Sequence, residues 1–157
     1  MASELKKNLV NAFKPFFKEH GFKKKGATWH RDTGEFIQVV NIQGSQWSPS
    51  FYINLGVYIK RFGGKETPDE AECHARERLN QIVENKNRFN DLLNYEIRID
   101  TDVRVNELRF SLKNEGLNWL KRLSNLNEIK NVFEGSNTLT PFLKKELAEF
   151  LNKNVGG

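Results

Sequence analysis

The chain has 157 residues, of which 38% are apolar and 29% charged, with a net charge of +5 and one cysteine. Those values suit one domain spanning 1–157 with a globular rather than disordered balance, the single cysteine rules out an intramolecular disulfide framework, and no apolar run approaches the length of a membrane span. The charge is uneven: residues 1–31 hold eight basic and two acidic side chains, so the remainder is close to neutral and the excess belongs to one local face.

In chain order, Leu5, Leu9, Phe13, Phe16 and Phe17 form one helical stripe after Ser3, a capping residue. Pro15 lies inside that stripe and predicts a kink or a restart, and Gly21 predicts the stop. The start lacks an apolar stretch of the secretory kind, which with the single cysteine points to a cytoplasmic protein. Strands follow near 27–32, 35–43 and 50–60, the first two joined through Asp32-Thr33-Gly34-Glu35, a hairpin signal. In the third, Phe51, Ile53, Leu55, Val57 and Ile59 alternate with Tyr52, Asn54, Gly56, Tyr58 and Lys60, so one face is buried and the other mixed. Short connections favour an antiparallel meander.

Thr67-Pro68-Asp69-Glu70 resembles a capping box and predicts a helix from about 68. The alternation in Asn94-Tyr95-Glu96-Ile97-Arg98-Ile99-Asp100 predicts a fourth strand. Val105, Leu108 and Leu112 mark a helix ending near Gly116, and 117–135 carries one or two more. Thr140, Pro141, Leu143, Leu147, Phe150 and Leu151 predict a last amphipathic helix. The expected architecture is an antiparallel sheet of about four strands, with an N-terminal helix and C-terminal helices packed on it.

Three segments, GFKKKGATWHR (21–31), VVNIQGSQWSPSFYINLGVYI (39–59) and ECHARERL (72–79), together resemble the bacterial domain-of-unknown-function family 4304. The resemblance implies a single α+β domain and no activity.

Several groups of residues are candidates for function. Asn41 and Gln43 share parity on the second strand, and Tyr52, Asn54 and Tyr58 share it on the third. If those faces meet, amides and rings converge, with Trp47 in the loop at the rim; such a patch suits a polar or planar ligand or a partner. The ordinary alternative is that cross-strand pairs of this kind only stabilise the sheet. Lys23, Lys24, Lys25 and Arg31 form a basic run beside Trp29, read as a solvated turn on one side of the molecule with Lys14 and Lys18 nearby. It is either solubilising or a contact for phosphates or an acidic surface. Arg76 and Arg78 belong to a salt-bridged face or anchor an anion. Cys73 and His74 are the sole basis for an enzyme reading, and neighbours on a helix diverge by about 100°. The three histidines and one cysteine lack ligand spacing, so neither a metal nor a cofactor is expected.

The leading expectation is a non-catalytic binding module for a protein with an acidic surface, for instance an immunity- or antitoxin-like protein. The alternative is a nucleic-acid or nucleotide-binding module that uses the N-terminal lysines and the sheet aromatics.

Overall fold

The computed structural model describes residues 2–135 and residue 149. The helix expected from Thr140 onward lies outside the described residues.

Helix α1 spans Ala2–Glu19 and runs through Pro15 without a restart. It includes Ser3 in its first turn, one residue inside the expected boundary. Its stripe buries Leu9, Phe13, Phe16 and Phe17, and Phe17 stacks on Trp29 at 4.3 Å between ring centres. The stop at Gly21 is a Schellman arrangement. Gly21 N–H donates to Lys18 O (3.1 Å) and Phe22 N–H to Phe17 O (2.9 Å), while Gly21 adopts φ +82°, a conformation that favours glycine.

Five strands follow: β1 (Lys23–Lys25), β2 (Thr28–Asp32), β3 (Phe36–Gly44), β4 (Phe51–Ile59) and β5 (Ala75–Arg78). Each pairs antiparallel with the next, so the sheet is a meander in chain order. The expected hairpin is present at 32–36, where Thr33 N–H donates to Phe36 O (2.9 Å) and Gly34 N–H to Asp32 Oδ1 (2.8 Å). Phe51, Ile53, Leu55, Val57 and Ile59 all enter the core shared with the helices, as the alternation predicts. One buried polar chain crosses that side. Arg31 Nε donates to Gln38 Oε1 (2.7 Å), and Gln38 Nε2 donates to Ser124 Oγ (2.9 Å).

Two expected elements are replaced. The helix from 68 is only a 3-10 turn at Glu70–Glu72, with Asp69 N–H donating to Glu72 Oε1 (2.9 Å), and residues 75–78 are then strand β5. Local capping chemistry starts the turn, but the free edge of β4 offers a full ladder to the next residues and wins. The strand expected at 94–100 is a turn with one isolated bridge, Ser50 to Asn94. Its carbonyls go elsewhere. Arg104 is 3% exposed and donates to Asp91 O, Leu92 O, Asn94 O and Ile97 O, while its guanidinium lies 4.2 Å over the Tyr95 ring.

The remaining helices are α2 (Leu79–Ile82), α3 (Lys86–Leu93), α4 (Thr101–Ser111), α5 (Leu117–Leu123) and α6 (Leu126–Gly135). Asp100 caps α4 by accepting from Asp102 N–H and Val103 N–H. The stop predicted at Gly116 is absent: a π-turn at Leu112–Gly116 carries the chain straight into α5. Asn114 Nδ2 donates back to Phe110 O (2.9 Å) beside that turn, the side-chain competition that loosens a helical ladder.

Candidate functional site

The helices cover one face of the sheet. Segment 60–74 returns across the other face and covers only half of it. Under this strap sits a small apolar cluster, Ile37, Val39, Tyr58 and Cys73. The strap is pinned by polar contacts: His30 Nε2 pairs with Pro68 O (2.7 Å), Lys65 N–H donates to Tyr58 Oη (3.2 Å), and Arg76 grips Glu70 with Nε and Nη2 (3.0 and 3.1 Å). It lies close because position 56 is glycine. A Cβ on Gly56 would stand 2.6 Å from Cys73 Sγ.

The other half is not covered by the strap, and it carries the amides: Gln43 is exposed, Asn41 is half-buried and Asn54 is buried at 5% exposure. Asn41 faces Asn54 and Gln43 faces Tyr52 across β3 and β4. Asn54 Nδ2 donates to both Asn41 Oδ1 (3.2 Å) and Gln43 Oε1 (3.0 Å), while Asn41 Nδ2 donates to Thr28 Oγ1 (3.0 Å). Arg78, opposite Asn54, lays its guanidinium 4.0 Å over the Tyr52 ring. Among the described residues no carboxylate pairs with Arg78, so its outer face and edge are available. Trp47, in the loop after β3, is 92% exposed.

The structure therefore brings Asn41, Gln43, Tyr52 and Asn54 together and sets Trp47 at that end of the sheet. Tyr58 departs from the expectation. It is 4% exposed, sealed by the strap because its parity points it under residues 63–74. The basic run also departs. Lys23–Lys25 is an edge strand rather than a loop, and strand alternation splits the lysines between faces. Lys23 and Lys25 pair with His30 and Thr28 on the face that carries the strap, whereas Lys24 pairs with Trp29 on the helix side. There Lys24 joins Lys14 and Lys18 around a cleft of about 310 Å³ floored by Phe22 and Trp29. Arg31 is not part of a free basic patch. It is half-buried, donates to Gln38 and to His20 O (2.8 Å), and covers the Phe22 ring. Arg76 is likewise spent on Glu70, which leaves Arg78 as the arginine of that pair open to an anion. Thr28 was not a candidate by sequence; only its register opposite Asn41 reveals it.

Cys73 and His74 lie outside a helix and do not form a reactive pair. Cys73 Sγ approaches Asp69 O (3.7 Å), and burial pushes the thiol pKa up, away from the thiolate. His74 Nδ1 accepts the Ile59 N–H (2.8 Å), and burial lowers its pKa to about 4. Its ring packs on Tyr58 and Phe62. Among the described residues there is no group of three metal-ligating side chains and no helix long and apolar enough to cross a membrane.

Five antiparallel strands, helices on one face and a strap over half of the other define an α+β domain with one open polar sheet surface. The family DUF4304, a domain of unknown function, matches residues 13–122, and the chain belongs to that family. That span contains α1 from Phe13, all five strands and the helices through most of α5. No curated protein matches the chain, and no solved structure does.

Proposed function

We propose that the protein is a non-catalytic binding module that grips an acidic surface of a protein partner with the open half of its sheet. The observation that supports this best is Arg78: it is exposed, lies flat over Tyr52, and pairs with no carboxylate among the described residues. Tryptophan, tyrosine and arginine are the residues most enriched at interface hot spots, and stacking on Tyr52 already limits the rotamers of Arg78. Trp47, Tyr52 and Arg78 supply one of each. An immunity- or antitoxin-like protein that masks an acidic patch on a toxin is a concrete form of this reading, by analogy of size and fold alone.

The test is affinity capture from the source cell by the wild type and by Trp47→Ala, Tyr52→Ala and Arg78→Ala. The expected outcome is one acidic protein retained by the wild type, with each variant weakening it about 30-fold, the equivalent of about 2 kcal/mol. A partner bound equally by all four proteins refutes this use of the face.

A second reading, nucleic-acid binding, draws support from the cleft where Lys14, Lys18 and Lys24 gather. Fluorescence anisotropy with a labelled duplex at rising salt separates the two. Phosphate neutralisation gives a log–log slope of about −0.9 per contact, and the same variants of Trp47 and Tyr52 leave it unchanged.

A further inference from the structure

The open face is crossed by a single unbroken row. Lys25 stands opposite Thr28, Thr28 opposite Asn41, Asn41 opposite Asn54, and Asn54 opposite Arg78. Directly paired residues project from the same face, so the row reads cation, hydroxyl, amide, amide, cation. Four inter-strand gaps of about 4.8 Å separate its ends by roughly 19 Å. The Lys25 ammonium touches only the Thr67 hydroxyl (3.2 Å), so both end charges are uncompensated among the described residues.

The row lies in a trough. On one side the strap covers the next row, where His30 meets Pro68, Gly56 meets Cys73 and Arg76 meets Glu70. On the other side the Gln43–Tyr52 pair leads into the loop that carries Trp47. The walls of the trough stand on Gly56 and Tyr52 of β4, four residues or about 13 Å apart along the strand, and the strap on one side and the Gln43 and Tyr52 side chains on the other take up part of that width. A helix with side chains needs about 10–12 Å, whereas one extended chain fits.

From this geometry, and resting on the proposal that the face binds an acidic protein, we infer which part of the partner enters the trough. It is an extended segment that crosses the strands, with two carboxylates about six residues apart. At about 3.3 Å per residue, six residues match the length of the row. Arg78, oriented by Tyr52, takes one carboxylate through its planar fork, and Lys25 takes the other. Between them the face offers a main-chain partner. Gln43 is exposed and its Nε2 makes no hydrogen bond among the described residues, so it complements a peptide C=O; Asn54 Oδ1 is likewise unbonded but belongs to a buried side chain on the floor of the row. A nucleic-acid strand fits this row poorly. It carries about one phosphate per 3.4 Å of helix axis, but the row has cations only at its ends, and Arg78 already occupies an exposed face of its one aromatic neighbour.

The probe is a capped peptide, acetyl-Glu-Ser-Ser-Ser-Ser-Ser-Glu-amide, titrated into the 15N-labelled full chain and followed by NMR. Its isomer with adjacent glutamates and the oligonucleotide dT6 are the comparisons. The expected result is shifts at Thr28, Asn41, Gln43 and Asn54, with the spaced peptide binding at least threefold tighter than its isomer. That advantage disappears in Lys25→Met and in Arg78→Met. Equal binding of the two isomers, stronger shifts of the row with dT6, or no shift at millimolar peptide overturns the inference. If any of these occurs while partner capture still depends on Trp47, Tyr52 and Arg78, the extended-segment inference fails alone. If capture is indifferent to those side chains, the binding reading fails as well.

Discussion

Replacing Gly56 with alanine strikes the point where the strap rests on the sheet. The added Cβ would lie 2.6 Å from Cys73 Sγ, 2.7 Å from Cys73 Cβ and 3.6 Å from Glu70 O. Carbon contacts settle at about 3.5–4.0 Å, so the strap must rise by about 1 Å or β4 must bow. Overpacking of that kind costs about 1–3 kcal/mol. Alanine suits an extended backbone at least as well as glycine, so the loss is steric. At about 2–4 °C per kcal/mol for a chain of this size, the melting temperature falls by roughly 2–12 °C. Two measurements check the cause. The Cys73 thiol, buried and held far from its thiolate form, reacts slowly with a disulfide reagent at pH 7 in the wild type and faster in Gly56→Ala. In a Cys73→Gly background both atoms nearer than 3 Å are gone and the next, Glu70 O, is at ordinary contact distance, so the same substitution costs almost nothing more. Equal losses in the two backgrounds, or a Gly56→Ala protein that melts with the wild type, would refute the close-approach argument.

Two more outcomes follow from buried polar groups. Arg104→Met keeps most of the stem but withdraws donors from four carbonyls; it should lower stability by about 2–4 kcal/mol, and an unchanged urea midpoint contradicts that role. His74 is neutral in the fold because burial lowers its pKa to about 4, below the ordinary value of about 6.5. The unfolded chain therefore takes up the proton first, and stability declines as pH falls from about 6.5 toward 4. His74→Asn keeps an acceptor for the Ile59 N–H and should flatten that part of the profile in urea melts at pH 7.5 and 4.5; an identical slope in the two proteins rules this out.

Much of the sheet was legible because its signals are short-range. The alternation of β4 assigns each residue a face, and a one-residue slip would put Ile53 and Leu55 in water. Gly21 after a helical stripe likewise carries its own conformational reason. The failures occur where a distant partner decides. Residues 94–100 alternate like a strand, but Arg104, a residue on the following helix, collects their carbonyls. The capping box read at Thr67 and Glu70 forms instead between Asp69 and Glu72 and starts only a short turn, and Ala75–Arg78 then fill the edge of β4. The amide pairing in the candidate site follows from parity, so Asn41, Gln43, Tyr52 and Asn54 could be grouped without coordinates. Tyr58 shares that parity and differs only because the strap covers it, and the strap's path depends on the hole above Gly56. The lysines are exposed, as a solvated run should be, but they are not on one side: only pairing with Thr28–His30 makes them a strand whose side chains alternate between faces.

The period of two along β3 and β4 has a consequence for how such a domain changes over generations. Phe51, Ile53, Leu55, Val57 and Ile59 answer to the helical layer, while the exposed Trp47, Lys25 and Arg78 hold no contact with it. Selection can rewrite the second set one side chain at a time and leave the folding free energy almost untouched. A population of such chains can diversify its open face as fast as its surroundings demand, with the interior acting as a constant frame.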